Sequence, residues 1–341
     1  MSNYDPGKMG EKISEFSSQI LKGWEIGENS GQIPSGIDNV LFSGMGGSAI
    51  AGDIINSFFS DSITVPFIVN RGYDVPGFIS SKTLFIASSY SGNTEETLSA
   101  FDCALKKGVK AIAVTSGGKL GEICNDRTFP IFQMPEGYPP RSALGFSMGI
   151  LFNILSRANI ISLTYDEVKE AAEFLSDQQD TLSDINGPAA ILAKDIAGTL
   201  PFIYGSVHGT DVIALRWKAQ FNENSKIHAA YGVFSEMNHN EIMGWSKHEK
   251  TGKYFGDLSA IFLRSTSDSA RNVKRMDITE DILKEQGVKI FEVKAKGKSR
   301  LAEFLYLISF GDWTSYHLAF LNSVDPTEIP AINVLKQKLK D

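Results

Sequence analysis

At 341 residues the chain suits two domains of ordinary size better than one, and a hydrophobic fraction of 42% is enough for a core in each. A formal net charge of −7 argues against a nucleic-acid partner, so a bound phosphate would have to be held locally, by backbone amides and a few chosen side chains. The two cysteines, Cys103 and Cys124, have neither metal-ligand spacing nor the density of a disulfide framework, which points to a reducing cytoplasm, and no apolar run reaches the roughly 20 residues of a membrane span.

The polar stretch from Met1 to Lys12 does not read as a secretory leader. Helical spacing predicts an N-terminal helix over 13–24, packed on the first domain. Asn39–Phe42 is a strand that runs into Ser43-Gly44-Met45-Gly46-Gly47-Ser48, a glycine loop opening a helix over 49–59. The glycines partly match a dinucleotide fingerprint, but Ala49 stands at its sixth position and Asn70-Arg71, not an acidic residue, ends the next strand, so NAD is not expected. Further strands over 65–69, 84–87, 111–115 and 129–133, with a helix over 96–107, give the βα alternation of a doubly wound parallel sheet. Ligands of such sheets sit at the carboxyl ends of the strands.

One of those ends carries Ser88-Ser89-Tyr90-Ser91-Gly92-Asn93-Thr94-Glu95-Glu96-Thr97. It is a strand-to-helix turn crowded with hydroxyls. Gly92 lets a ligand approach the backbone, and the following helix offers free N–H groups and a positive dipole end. Together these make a phosphate cradle, lacking the lysine of a nucleotide P-loop. The same residues also fit a plain capping box, with Ser91 over Glu95 and Thr94 over Thr97. Next comes a proline-bracketed loop, Pro135 to Gly145, carrying Arg141. Helices over 146–156, 165–182 and 189–196 form a connection between domains.

The βαβ grammar then repeats without a phosphate loop. Strands are predicted over 201–206, 227–234, 258–264 and 288–293, and helices over 212–222 and 277–286. Glu223 falls at a helix C-terminus, where the dipole disfavours ionisation, as suits a general base; Asn222 and Asn224 flank it. An exposed helix-end glutamate fits the same pattern. His239, between Asn238 and Asn240 in a loop, is either a proton shuttle or an ordinary loop histidine. A helix over 299–322 is apolar beyond what one buried face needs, which suggests an interface between subunits. The terminal helix, 332–340, offers Lys336, Lys338 and Lys340. The five histidines follow no zinc pattern, and neither metal nor other cofactor is expected.

The run Ser89 to Thr97 resembles the phosphosugar signature of the sugar isomerase (SIS) domain family. With Gly44–Ser48, Pro140-Arg141-Ser142-Ala143, Phe221-Asn222-Glu223-Asn224-Ser225-Lys226 and Asn238-His239-Asn240 in order, the chain resembles the bifunctional phosphoglucose/phosphomannose isomerases over most of its length. The resemblance implies an α/β fold of two SIS-type domains, each a parallel sheet flanked by helices in three layers. The expected bounds are 1–155, a helical connection 156–196, and 197–341. It also implies metal-independent exchange of glucose 6-phosphate and mannose 6-phosphate with fructose 6-phosphate in a cytoplasmic homodimer. Glu223 would then be the base and Arg141 the enediolate stabiliser. His239, from the neighbouring subunit, and Lys336 would open the ring, with Lys336 preferred over Lys338. Ser48, Ser89, Ser91 and Thr94 would hold phosphate beside Gly46 and Gly47. A non-catalytic SIS sensor would lack Glu223 and His239 and usually adds a basic domain. An aminating SIS enzyme would need an N-terminal cysteine, where this chain has Ser2.

Overall fold

The computed structural model describes residues 4–250 and 252–339, so Ser2 and Lys340 lie outside the described residues. The chain forms two compact units, Glu15–Ser176 and a discontinuous one made of Met1–Ser14 with Asp177–Asp341.

In Glu15–Ser176 five parallel strands are described: β1 (Asn39–Ser43), β2 (Phe67–Asn70), β3 (Thr83–Ser88), β4 (Lys110–Thr115) and β5 (Ile131–Gln133). Their order is β2-β1-β3-β4-β5, and every pair is parallel, with Ser43 level with Ala87 and Ser88 level with Val114. Strands covered on both faces read as continuous apolar runs, which is why these were visible in the sequence. On one face Leu41, Phe85, Ala87, Ala111 and Ala113 pack against Phe101 and Ala104 of α4 (Glu95–Leu105) and Leu120 and Cys124 of α5 (Gly118–Asp126). The other side carries α3 (Ile50–Phe58), which meets β2, and α2 (Phe16–Asn29), which meets β5, with α6 (Leu144–Arg157) packed against both helices. Burial of these apolar faces is the main term holding the unit together.

The second unit repeats the scheme with β6 (Leu200–Ser206), β7 (Ala230–Phe234), β8 (Leu258–Arg264) and β9 (Lys289–Lys294), in the order β7-β6-β8-β9, again parallel. Tyr204, Phe234, Ala260 and Phe262 build one core face with Met276 and Leu283 of α10 (Ala270–Glu285). The α/β class and the two helix-flanked parallel sheets are those expected from the sequence.

Two expectations are corrected. The single helix over 13–24 is divided at Glu15: α1 (Met9–Ser14) belongs to the discontinuous unit and only α2 to the first. The apolar excess of α11 (Arg300–Leu321) is not an exposed subunit interface. Leu301 through Ser315 are buried within the chain itself, where α11 packs on α8 (Pro188–Ile196), α9 (Asp211–Glu223) and α1. A helix enclosed on all sides needs apolar residues all round. Among the described residues no helix is long and apolar enough to cross a membrane.

Candidate active site

In the first unit the loops leaving β1, β3, β4 and β5 meet at the carboxyl ends of the strands. The Ser48 hydroxyl accepts from the Tyr90 N–H at 3.1 Å, and the Ser88 hydroxyl donates to the Ser48 carbonyl at 3.0 Å. The Ser89 and Thr94 hydroxyls lie 2.9 Å apart. Gly92 has φ +66°, and a Cβ there would fall 1.8 Å from the Gly117 carbonyl oxygen, so only glycine closes the β3 loop onto the β4 loop. Thr94 is the N-cap of α4, yet its side chain makes no capping bond. The capping-box reading of Thr94 therefore fails, and its hydroxyl is turned to Ser89 instead of closing off the helix's first N–H groups. Thr97 Oγ1 is buried without a hydrogen-bond partner. Ser91 is exposed and accepts from the Asn93 N–H at 3.3 Å. Hydroxyls beside a helix N-terminus are groups that can receive an anion.

Arg141 sits in a short helical turn, Pro140–Ser142, that rests on the glycine loop. A Cβ on Gly47 would lie 2.8 Å from the Arg141 nitrogen and 2.9 Å from the Pro140 carbonyl carbon. Glycine at 47 is thus what lets the arginine-bearing turn seat against Gly46–Ser48. The Ser142 carbonyl is held by Gln19 Nε2 at 2.9 Å. Ser48, Ser89, Thr94, Gly46, Gly47 and Arg141 are thereby brought together.

Glu223, His239 and Lys336 lie on three separate elements of the other unit. Glu223 ends α9, as expected, and is half-buried. The α9 terminus is fastened to partners that the sequence does not reveal, Ser315, Asn322 and Asp325. Asn224 Nδ2 donates to Ser315 Oγ at 2.9 Å, the Ser225 hydroxyl donates to the Ser315 carbonyl at 2.7 Å, and Asn322 donates to the Ser225 carbonyl at 2.9 Å. Lys226 Nζ donates to the Glu223 and Asp325 carbonyls, both at 2.6 Å, and so closes the helix end. Two turns back, the buried Arg216 makes a bidentate pair with Asp312 at 3.1 and 2.6 Å, with Gln220 adding a bond at 2.9 Å. Burial pushes the Asp312 carboxyl upward from its ordinary value, against the pull of Arg216 and Gln220. Asn222 Oδ1 is buried without a hydrogen-bond partner.

His239 is exposed, in a helical turn, Glu236–His239, just beyond β7. Buried Met237 anchors the turn, Asn238 Nδ2 donates to Thr279 at 2.8 Å, and the Tyr204 hydroxyl donates to Glu241 at 2.5 Å. Lys336 is exposed on α12 (Pro330–Lys338), whose residues are all exposed, Lys338 among them.

A helix-flanked parallel sheet with hydroxyl-lined loops at the carboxyl ends of its strands is the architecture of an α/β ligand-binding protein. Residues 185–339 match the family model described as the bacterial phospho-glucose isomerase C-terminal SIS domain. A bifunctional phosphoglucose/phosphomannose isomerase of Caldicellulosiruptor bescii is 42% identical over 98% of this chain and 99% of its own length. One from Aquifex aeolicus is 37% identical over 88% of this chain and 90% of its own length. Among solved structures, a hypothetical protein of Thermus thermophilus shares the fold, with a TM-score of 0.72 at 14% identity over 98% of this chain and 90% of that one. The chain belongs to the bifunctional phosphoglucose/phosphomannose isomerase family.

Proposed function

We propose that this chain interconverts glucose 6-phosphate and mannose 6-phosphate with fructose 6-phosphate through one enediolate. The observation that carries the reading is the junction of an open, hydroxyl-lined helix N-terminus with an arginine turn seated on the glycine loop. Family membership supplies the reaction class.

Ser48, Ser89, Ser91 and Thr94, with the α4 amides, hold the phosphate, and Gly46 and Gly47 shape the floor beside it. Glu223 takes the proton from C2 of the aldose and returns it to C1. Arg141 stabilises the enediolate oxygen, since a weak carbon acid needs its developing charge neutralised as well as a base. His239 and Lys336 exchange protons at the ring oxygen and O1 to open the ring. Glucose and mannose 6-phosphates differ only in configuration at C2, so rotation about C2–C3 lets one base serve both. His239 works in the site of a neighbouring subunit of a homodimer; its exposure on its own chain supports this. Free thiols at Cys103 and Cys124 support a reducing, cytoplasmic setting.

The test is a coupled assay converting fructose 6-phosphate to glucose 6-phosphate, repeated with mannose 6-phosphate as substrate and in the presence of a chelator. Turnover of both sugars, unaffected by the chelator, is expected. Binding without turnover would leave a sensor instead.

A further inference from the structure

Tyr90 stands inside the run 89–97, between Ser89 and Ser91, yet its side chain is buried and bonds to the Pro135–Tyr138 loop. Its backbone N–H donates to Ser48 Oγ at 3.1 Å, and its carbonyl accepts from the Ser116 N–H at 2.9 Å and the Ser116 hydroxyl at 2.6 Å. Its phenol donates to the Pro135 carbonyl at 2.7 Å and accepts from the Tyr138 N–H at 2.9 Å. One residue therefore joins the loops leaving β1, β3, β4 and β5. The last of these leads directly to Pro139, Pro140 and Arg141. Tyr138 is held in turn by Glu15, to which its hydroxyl donates at 2.6 Å, and by the ring of Phe146.

We propose that Tyr90 is the positioning residue that sets Arg141 relative to the phosphate cradle, an inference that rests on the reading of Arg141 as the enediolate stabiliser. The two prolines make the link stiff: Pro139 and Pro140 have fixed φ, so a displacement at Tyr138 is carried to Arg141 instead of being absorbed. A phenol is neutral at working pH, and burial raises the Tyr90 value further, against the Tyr138 amide bond, so its hydroxyl can serve as donor and acceptor at once. The arrangement separates two tasks within one motif. The backbone and hydroxyls of 89–94 hold phosphate, and the Tyr90 hydroxyl aligns the charge stabiliser.

The experiment is Tyr90→Phe, which removes one oxygen atom and leaves the ring in place. A misplacement of about 1 Å costs up to about 10²-fold in rate, so kcat should fall by about tenfold to 10²-fold. The inhibition constant of inorganic phosphate should stay within about twofold, because no phosphate-holding group is removed. The same substitution in an Arg141→Ala background, followed by deuterium wash-in over long incubations, should slow exchange no further. The proposal is overturned if phosphate inhibition weakens in step with kcat, or if Tyr90→Phe costs as much without Arg141 as with it. A collapse of the melting temperature also overturns it, since the hydroxyl would then be holding the fold. If Arg141→Ala alone leaves kcat intact, it is the arginine assignment that fails, and this inference falls with it.

Discussion

Gly47→Ala tests whether the glycine loop and the arginine turn form one unit. The new Cβ would stand 2.8 Å from the Arg141 nitrogen and 2.9 Å from both the Arg141 Cα and the Pro140 carbonyl carbon, where ordinary contact begins at 3.4 Å. All three obstacles are backbone atoms, so no side-chain rotation relieves the overlap. Either the 46–48 turn or the 139–142 turn must retreat by 3.4 − 2.8, or about 0.6 Å. The 139–142 turn is braced from behind by the Gln19 amide on the Ser142 carbonyl. Overpacking of this kind costs about 1–3 kcal/mol in stability. Displacement at the reacting centre should lower kcat by about tenfold or more. Steady-state kinetics with fructose 6-phosphate, alongside a thermal melt, give both quantities. A Gly47→Ala enzyme with wild-type kcat and an unchanged melt would refute the idea that the two turns are in forced contact.

Three further outcomes are expected. Glu223→Gln keeps shape and hydrogen bonding but cannot accept the C2 proton, so kcat should fall by about 10² to 10⁴ for both aldoses, with solvent deuterium no longer entering at C1 or C2; exchange at the wild-type rate would place the base elsewhere. Asp312→Ala strands the buried Arg216 and should cost about 3–5 kcal/mol, read from urea unfolding by tryptophan fluorescence; a loss below about 1 kcal/mol would show that the pair does not hold α9 to α11. Burial lowers the His317 pKa below its ordinary 6.5, so its contribution to stability is full above 6.5 and lost as pH falls through the folded value. Between pH 7 and 5, the fall in melting temperature should therefore be shallower in His317→Gln than in the wild type, and equal slopes would count against the assignment.

The strands were legible because a parallel sheet covered on both faces needs unbroken apolar runs, as in Leu84–Ala87. Helix α5 was not, because Gly118–Asp126 buries only Leu120, Gly121 and Cys124 and shows no clear apolar stripe. Apolar spacing places the start of α10 at Asp277, although the helix begins at Ala270. Its first turns are polar, and the signal that marks its start is Ser269, whose side chain accepts from the Asn272 N–H. In α11 the apolar excess is plain in the sequence, but composition cannot tell burial inside one chain from burial between two. At the site, local chemistry singled out the hydroxyls of 89–94. The tasks given to Glu223 and His239 came from the resemblance, as their own surroundings fit ordinary surface residues equally well. The Tyr90 link to Tyr138 spans 48 positions, and no spacing rule connects them.

The discontinuous unit has a consequence for how the chain is made. Asp5 accepts from the Tyr316 hydroxyl at 3.1 Å across 311 positions, and Gly10 lies flush against the same tyrosine ring. A ribosome therefore releases the first segment of this unit long before the helix that will receive it exists. Glu15–Ser176 has all its strands and can close while synthesis continues, whereas residues 4–14 must wait for α11. A bulky fusion at the amino terminus would burden the last docking step of the carboxyl-terminal half and leave the loops at the carboxyl ends of β1 and β3, assembled earlier, untouched.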